Sequence, residues 1–303
     1  MNEAVRVACV QVEPVILDRD ATIEKVAVLT KDAAAAGAQL VVFPETFVPA
    51  YPSSRWARAL AGWADPRAKA AFALLRRESV DVPGDAERRL GEIAREHGVW
   101  LVTGVNEVDP TRPGTIYNSL LYHAPDGTLA DHHRKLVPTN HERLVWGQGD
   151  GRGLRAIDTP LGRLGGLICW ENYMPLARYA LYESGLEIYI ASTADDGDAW
   201  QATLVHLARE SRAFVVAPCH FQRAESYPAD FPLRELLDGE GTLGRGGSAI
   251  LAPDGSYLAG PLYEEEGILY AQLEPDRLFE ERQRFDPVGH YNRPELLRFE
   301  LRR

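Results

Sequence analysis

The chain has 303 residues, and its hydrophobic fraction of 45% and charged fraction of 25% are those of an ordinary globular protein. Its 33 Lys and Arg residues stand against 44 Asp and Glu residues, which gives a net charge of -11. Because such a surface repels phosphate groups and anionic lipid headgroups, we expect no nucleic-acid partner and no membrane partner. The length of the chain favours one domain over residues 1–303.

The N-terminal apolar stretch is interrupted by Glu3 and Arg6, unlike the continuous apolar core of a signal peptide. No later segment approaches the ~20 apolar residues that a transmembrane helix needs. The three cysteines, Cys9, Cys169 and Cys219, are too few and too far apart for a disulfide framework or a zinc site of paired cysteines. We therefore expect a cytoplasmic protein with reduced thiols and no metal.

Short apolar runs rich in valine and isoleucine recur along the chain and predict mostly buried strands. Eight runs have this character: residues 5–12, 39–43, 99–105, 116–122, 164–168, 187–191, 213–217 and 248–251. Turn sequences with Pro-Asp-Gly at residues 125–127 and 253–255 predict two β-hairpins.

Apolar residues at helical spacing predict three helices between these strands. The first follows Asp20 and stops before Gly37, and the second carries Leu90 and Ile93 before Gly98. The third has one apolar face, formed by Trp200, Leu204, Leu207, Ala208 and Ser211. Alternating strands and helices indicate the α/β class, with either one mixed sheet or two packed sheets that have helices outside.

Two further segments are rich in turn residues. Residues 147–153 contain four glycines and predict a tight loop, but they lack the lysine and hydroxyl group of a phosphate-binding loop. Residues 224–247 are polar, and we expect them to form a long surface loop that borders a site.

Cys169 ends an apolar run and stands shortly before Pro175, which opens another predicted helix. At such a strand-to-helix turn, backbone amides favour a thiolate and can receive a developing negative charge. Taken alone, a cysteine at a strand end is more often a small buried apolar residue. Its companions elsewhere in the sequence decide between the two interpretations.

Two other ionisable residues are candidates for the same site. Glu45 stands just past a predicted strand among apolar and aromatic residues, where a partly desolvated carboxylate is a good general base; a carboxylate at a helix N-terminus is the alternative. Lys135 follows the first predicted hairpin, where it is either a solvated surface charge or, beside a cysteine and a glutamate, a group that stabilises a tetrahedral anion.

Glu45, Lys135 and Cys169 together resemble the nitrilase superfamily, whose members carry a Glu-Lys-Cys triad in this order. The segment that starts at Cys169, CWENYMPL, is similar to the signature of true nitrilases, whereas amidases and carbamoylases usually follow the cysteine with a different residue and then Asp. Residues 141–151 are also nitrilase-like, and Glu142 matches the family's second glutamate, which braces the lysine. The resemblance extends over nearly the whole chain.

The resemblance implies a fold and an activity. The fold is an α-β-β-α sandwich of two mixed sheets with helices on the outer faces. The activity is hydrolysis of a small organic nitrile to a carboxylic acid and ammonia, through a thioimidate and a thioester on Cys169, without a cofactor. Trp170 and Tyr51 are then expected to bind the substrate, and the amide of Trp170 to stabilise developing charge.

Further features bear on substrate and assembly. If Tyr51, Trp56, Trp146 and Trp170 line the pocket, an aryl or arylaliphatic nitrile is favoured over a short aliphatic one. The segment around residues 190–196, and then His206, Glu210 and Arg212, also resemble nitrilase segments, where packing or salt bridges are expected as much as substrate contact. The long tail with which many nitrilases build filaments is not seen after residues 291–295, so we expect a homodimer or a higher homo-oligomer of small size.

Other functions share parts of this constellation. An amidase, a carbamoylase or a cyanide-degrading enzyme would use the same triad. A papain-like enzyme would pair Cys169 with one of five histidines, but no local signature of such proteases surrounds the cysteine. A scaffold that has lost its chemistry is the non-enzymatic alternative, and the presence of the whole triad with Glu142 argues against it. The histidines in question are His132, His133, His141, His206 and His220.

Overall fold

A computed structural model describes residues 1–302, which contain two β-sheets surrounded by helices. The strands are β1 (Val5–Gln11), β2 (Leu40–Val42), β3 (Val80–Asp81), β4 (Trp100–Val108), β5 (Ile116–His123), β6 (Leu129–Arg134), β7 (Leu164–Gly166), β8 (Ile188–Ile190), β9 (Phe214–Ala217), β10 (Phe221–Arg223), β11 (Thr242–Leu251), β12 (Tyr257–Tyr263) and β13 (Gly267–Leu273). The α-helices are α1 (Arg19–Ala35), α2 (Ser54–Ala57), α3 (Pro66–Arg77), α4 (Asp85–His97), α5 (Pro175–Glu183), α6 (Asp198–Ser211) and α7 (Asp276–Arg284). Short 3-10 helices include Asn140–Leu144 and Cys169–Tyr173.

Both sheets mix parallel and antiparallel pairs. The first sheet has the strand order β13-β1-β2-β4-β5-β6, and β3 pairs with β4 beside this series. In it β1, β2 and β4 are parallel, while β13, β5 and β6 are antiparallel to their neighbours. The second sheet has the order β10-β11-β9-β8-β7, in which β7, β8 and β9 are parallel, and β12 pairs with β11. Parallel neighbours end at the same edge of a sheet, so the residues that follow β7 and β8 can meet there.

Side chains that alternate along each strand fix the order of the layers. Cys9 of β1 shares a core cluster with Ile190 of β8, whereas its neighbour Ala8 shares another cluster with Ile23 of α1 and Leu90 of α4. One face of the first sheet therefore covers the second sheet, and its other face is covered by helices.

The second sheet repeats the arrangement. Tyr189 and Ala191, on either side of Ile190, pack with Leu181 of α5 and Leu204 of α6. Each fully buried aliphatic side chain of this kind contributes roughly 1.5–3 kcal/mol. The result is an α-β-β-α sandwich, which confirms the expected fold class and decides for two packed sheets over one.

The predicted elements are largely confirmed. Each of the eight apolar runs overlaps a strand, both Pro-Asp-Gly turns join antiparallel strands, and the three predicted helices are α1, α4 and α6. Helix α1 begins at Arg19, before the expected position, because the carboxylate of Asp18 accepts a hydrogen bond from the amide of Ala21 at 2.9 Å and caps the helix. Helix α4 ends where Gly98 adopts a φ of 63°.

The surface loop expected at residues 224–247 is partly wrong. Its last residues belong to β11, which begins at Thr242. Within the rest, Phe231 and Leu237 are buried, and the ring of Phe231 lies 5.2 Å from that of Trp56. The buried apolar residues of this segment are spaced irregularly, with neither the period of a helix nor that of a strand. The polar residues between them therefore made the segment resemble a surface loop.

Within residues 1–302, no helix combines the length and the apolar composition that crossing a membrane requires.

Candidate active site

The three residues of the predicted triad follow the C-terminal ends of β2, β6 and β7. Lys135 comes directly after β6, Glu45 stands three residues past β2, and Cys169 begins the 3-10 helix Cys169–Tyr173 after β7. One carboxylate oxygen of Glu45, one of Glu142 and Sγ of Cys169 all lie within 4.8 Å of one another. The fold thus brings together segments that are far apart in sequence.

The two carboxylate oxygens of Glu45 have different surroundings, although the residue is completely buried. Oε1 accepts hydrogen bonds from Nζ of Lys135 at 2.8 Å and from Nδ2 of Asn118 at 2.6 Å. Oε2 is also buried, and it accepts no hydrogen bond from residues 1–302. Glu45 therefore keeps one oxygen available to accept a proton.

Lys135 lies between two carboxylates. Its Nζ is 2.8 Å from Oε1 of Glu45 and 2.7 Å from Oε2 of Glu142, and its side chain is completely buried. The same nitrogen is 5.8 Å from the ring centre of Trp146. A solvated surface charge, the alternative for this lysine, is therefore wrong.

Glu142 lies in the 3-10 helix Asn140–Leu144, and both of its oxygens are engaged. Oε2 accepts from Lys135 and from the amide of Thr139 at 2.6 Å, while Oε1 accepts from the hydroxyl of Tyr51 at 2.9 Å. Tyr51 therefore orients Glu142 directly. Because Glu142 has its acceptors occupied where Glu45 does not, Glu45 is the better proton acceptor of the pair.

Cys169 sits at a strained turn. Its φ is 53°, a left-handed conformation that non-glycine residues rarely adopt, and its amide donates to the carbonyl of Ser192 at 2.8 Å. The residue is 4% exposed, and the side chain of Thr193 favours the thiolate and so lowers the pKa of Cys169 against the larger effect of burial. The turn places a nearly buried thiol at the end of β7.

Burial and charge set the protonation states of the site. Burial, and then the negative charge of Glu45, raise the pKa of the Cys169 thiol. Burial also raises the pKa of Glu45, and the charge of Lys135 only partly offsets this. Burial disfavours the ammonium of Lys135, but the neighbouring negative charges outweigh burial and raise its pKa. The site therefore combines a thiol that favours its protonated form, a lysine that favours its charged form and a carboxyl group with a raised affinity for protons, as a general base requires.

Glu45, Glu142 and Cys169 also present the kind of atoms that bind metal ions. The ammonium of Lys135 contacts both carboxylates, so it already supplies the positive charge that they require. The donor set therefore fits a lysine cation better than a divalent ion.

The aromatic candidates occupy different places. The indole of Trp170 is half exposed, and its Nε1 donates to Oδ2 of Asp195 at 2.8 Å. Trp146 is buried near Lys135, with its ring centre 5.8 Å from that of Tyr51. Trp56 is 1% exposed and packs in the same core cluster as Tyr51 and Trp146. Its place in a substrate pocket therefore stays a prediction.

Three further residues adjoin the triad, and sequence reasoning gave none of them this role. Asn118 of β5 donates to Glu45, the side chain of Thr193 after β8 lowers the pKa of Cys169, and Nε2 of His220 contacts the carbonyl oxygen of Glu45. Burial lowers the pKa of His220 to about 4, so this imidazole is neutral at neutral pH. The available signal was a run of polar residues inside or directly after otherwise apolar strands.

The nitrilase-like residues of α6 have packing roles. Glu210 accepts from Nε of Arg178 at 2.6 Å and from the hydroxyl of Tyr182 at 2.8 Å. Arg212 pairs with Glu281 at 2.6 Å. These ion pairs hold helices against each other, as the alternative interpretation expected.

Three of the five histidines proposed for a papain-like pair interact with carboxylates. His132 contacts the carboxylate of Glu107 and His133 contacts that of Glu171, while His206 is mostly exposed. The charged groups that act on the thiol of Cys169 are carboxylates and a lysine. This arrangement disfavours a cysteine–histidine pair.

The glycine-rich segment packs against the strand that leads to Lys135. A Cβ at Gly149 would lie 2.2 Å from the carbonyl oxygen of Arg134, and a Cβ at Gly153 would lie 2.6 Å from Cα of His133. The amide of Gly149 donates to the carbonyl of Lys135 at 2.8 Å. The predicted tight loop thus supports the backbone of the lysine, and only glycine allows so close an approach.

Known proteins are similar to this chain in sequence and in fold. The family model described as carbon-nitrogen hydrolase matches residues 6–283. An aliphatic nitrilase of Sinorhizobium fredii (strain HH103) is 44% identical over 293 residues, which are 97% of this chain and 94% of the relative. A bifunctional nitrilase/nitrile hydratase of Nicotiana tabacum is 41% identical over 97% of this chain and 84% of its own length.

A solved structure supports the architecture. The carbon-nitrogen hydrolase from Helicobacter pylori G27 superposes with a TM-score of 0.75 over 98% of this chain and 99% of that chain. At 21% identity, this likeness shows the fold alone.

Proposed function

Because this chain belongs to the carbon-nitrogen hydrolase family, we propose that it is a nitrilase, which converts an organic nitrile and two water molecules to a carboxylic acid and ammonia. The observation that carries the proposal is the cluster of Glu45, Lys135 and Cys169, combined with relatives named nitrilases at about 40% identity.

The first half of the reaction forms a covalent adduct. Glu45 accepts the thiol proton through Oε2 while Sγ of Cys169 attacks the nitrile carbon. The proton passes to the substrate nitrogen and gives a thioimidate. Lys135, already held as a cation, stabilises the negative charge that develops on that nitrogen, with the amide of Trp170 as a second donor.

The second half consumes the two water molecules. Glu45 takes a proton from the first water, which adds to the thioimidate carbon, and passes that proton to the nitrogen. The hydroxyl of the adduct then loses its proton to the nitrogen, which leaves as ammonia, and a thioester remains. The second water releases the carboxylic acid and returns the thiol of Cys169. If the tetrahedral adduct expels sulfur instead of ammonia, the product is an amide.

The proposed substrate is a small organic nitrile. Tyr51, Trp146 and Trp170 support an aryl or arylaliphatic substrate, whereas the name of the Sinorhizobium relative points to an aliphatic one. The rival activities, those of an amidase, a carbamoylase or a cyanide-degrading enzyme, use the same triad. Substrate comparison therefore separates all of these possibilities.

Location and assembly complete the proposal. We place the enzyme in the cytoplasm as a single domain that forms a homodimer or a small homo-oligomer and requires no cofactor. Light scattering of the purified protein on a sizing column measures its mass against the 33.6 kDa of one chain.

The test is ammonia release from a matched panel of phenylacetonitrile, benzonitrile, an aliphatic dinitrile, cyanide and the corresponding amides. Cys169→Ala should abolish release, because it removes the nucleophile. Cys9→Ala is the matched control, since it removes a buried thiol of the β1 core and should retain activity.

The outcomes separate the candidates. Ammonia from organic nitriles that is lost in Cys169→Ala supports the nitrilase. Ammonia from amides alone moves the enzyme to the amidase branch, and ammonia from cyanide alone moves it to the cyanide-degrading branch. Equal activity of Cys169→Ala and the parent protein would refute the covalent mechanism.

A further inference from the structure

A buried carboxylate and a buried imidazole, outside the triad, lie between the segments that carry Lys135 and Cys169. Glu171 is 1% exposed, and the side chain of His133 is also buried. Neither residue has a role in the steps described above. Burying a carboxylate is unfavourable unless its oxygens are well paired, so its contacts show what it holds.

Each oxygen of Glu171 accepts a backbone amide from a different segment. Oε1 accepts from the amide of Leu136 at 2.6 Å, and Oε2 accepts from the amide of Ile168 at 2.7 Å. Leu136 directly follows Lys135, and Ile168 directly precedes Cys169. One carboxylate therefore joins the backbones beside the lysine cation and the nucleophile.

His133 completes this arrangement from the strand β6. Its Nε2 lies 3.0 Å from Oε2 and 3.2 Å from Oε1 of Glu171. Burial is the largest single effect and disfavours the charged forms, but the mutual attraction and the hydrogen bonds together outweigh it. They hold the pKa of Glu171 below its usual value and that of His133 above its usual value. The two side chains form an ion pair, and its hydrogen bonds are directional.

The nucleophile needs such support. Cys169 holds a φ of 53°, and an unfavourable backbone conformation of this kind costs about 1–3 kcal/mol and persists only where surrounding contacts impose it. The hydrogen bond from Ile168 to Glu171 fixes the residue before the turn. The hydrogen bond from Leu136 fixes the residue after the lysine.

We propose that Glu171, held by His133, is a positioning residue that sets the distance between Lys135 and the thiol of Cys169. The kinetic part of this proposal rests on the proposed nitrilase function. The structural part does not, because the reactivity of the thiol can be measured without turnover.

The test is Glu171→Gln, which has nearly the same volume but only one acceptor oxygen for two backbone amides. We expect kcat to fall by about 10- to 100-fold with KM little changed, because small displacements of reacting groups cost rates of this order. Glu171→Asp keeps both acceptors and should recover part of the loss. A purely structural role would lower the melting temperature without lowering kcat per folded molecule.

Glu87→Gln is the matched control. Glu87 of α4 is also buried and pairs with a buried histidine, since its Oε1 lies 3.1 Å from Nε2 of His123, but it packs in the outer helix layer. This variant should keep the parent kcat. An equal loss of kcat in both variants would show a general effect of removing a buried carboxylate and would overturn the proposal.

Alkylation by iodoacetamide, with the Cys169 peptide followed by mass spectrometry, provides the readout that is independent of turnover. The rate constant for Cys169 should fall in Glu171→Gln and stay at the parent value in Glu87→Gln. A parent protein that is inactive on nitriles would contradict the proposed function, but the alkylation rates would still test the positioning role. An unchanged alkylation rate in folded Glu171→Gln would refute it.

Discussion

Unfavourable backbone angles accompany the reactive side chains at the residue scale. Thr46, Asn140 and Cys169 have φ values of 42°, 47° and 53°, and they stand beside Glu45, two residues before Glu142, and at the nucleophile itself. Each such angle costs about 1–3 kcal/mol, so the hydrogen bonds around the site stabilise a geometry that the local sequence would not adopt alone.

The pH dependence of turnover should reflect the protonation of Glu45. A protonated Glu45 cannot accept the thiol proton, so kcat/KM should fall on acidification. Because burial raises the pKa of Glu45, the acid limb should lie above 4.5, the ordinary value for this carboxyl group. A pH profile of nitrile hydrolysis measures this limb, and a midpoint at or below 4.5 would contradict the assignment.

Removal of the Asn118 side-chain amide should shift the acid limb of the pH profile to higher pH. Nδ2 of Asn118 donates to Oε1 of Glu45 at 2.6 Å, which favours the carboxylate and lowers its pKa. In Asn118→Leu the pKa of Glu45 should rise, so the acid limb of kcat/KM should move to higher pH. A limb at the same pH as in the parent protein would mean that Asn118 does not act on the base.

Asn118 also shows where sequence reasoning stopped. Every residue of β5 is buried, so the strand was predictable from its apolar run, but the run does not say which polar residue faces a partner. Glu45, Lys135 and Cys169 could be selected because their motifs resemble a family. Asn118 and His220 belong to no such motif, and only the folded sheets bring these two residues, and Thr193 of the nitrilase-like segment 190–196, to the site.

At the scale of elements, close packing of β4 on the turn after β2 positions Glu45. A Cβ at Gly104 would lie 2.1 Å from the carbonyl oxygen of Pro44 and 2.8 Å from Cα of Glu45. The two backbones can approach so closely only because residue 104 has no side chain.

Gly104→Ala should therefore displace the Glu45 turn. We expect overpacking to lower the free energy of unfolding by about 1–3 kcal/mol. We also expect kcat per folded molecule to fall, because the base is displaced. Gly114→Ala is the control, because no heavy atom lies within 4 Å of a Cβ at that position. Urea unfolding and initial rates measure both effects, and parent-like kcat in Gly104→Ala would contradict this explanation.

Some strands have no apolar pattern of their own, and β6 and β12 could be predicted only from the hairpin turns that precede them. Strand β6 is the last strand at one edge of the first sheet, and most of its residues are half exposed. Its sequence, Leu-Ala-Asp-His-His-Arg, therefore shows no alternation of apolar and polar residues. Strands β12 and β13 likewise carry many half-exposed residues. Pairing with a neighbour, rather than local preference, makes these segments strands.

At the scale of the whole molecule, Gln11 ties the two sheets together. Its Oε1 accepts from the amides of Gly247 and Ser248 at 3.0 and 2.9 Å, and its Nε2 donates to the carbonyls of Leu262 and Glu265, both at 2.9 Å. A side chain from β1 of the first sheet thus satisfies four backbone groups of β11, β12 and the turn beyond β12.

Gln11→Leu should destabilise the whole fold. Each buried group left unpaired costs about 1–3 kcal/mol, so the urea midpoint should fall strongly while the slope of the transition stays the same. Gln272→Leu on the neighbouring strand β13 is the control, because that side chain is exposed. Equal midpoints for the two variants would show that Gln11 does not join the sheets.

The half-exposed indole of Trp170, beside the nucleophile and held by Asp195, has a spectroscopic consequence. Indole emission responds to local polarity, and an acyl or imidoyl group on the adjacent sulfur would change the polarity around this ring. The protein thus carries a fluorophore of its own one residue from Cys169, so formation and decay of the adduct can be followed in real time by stopped-flow emission without a dye.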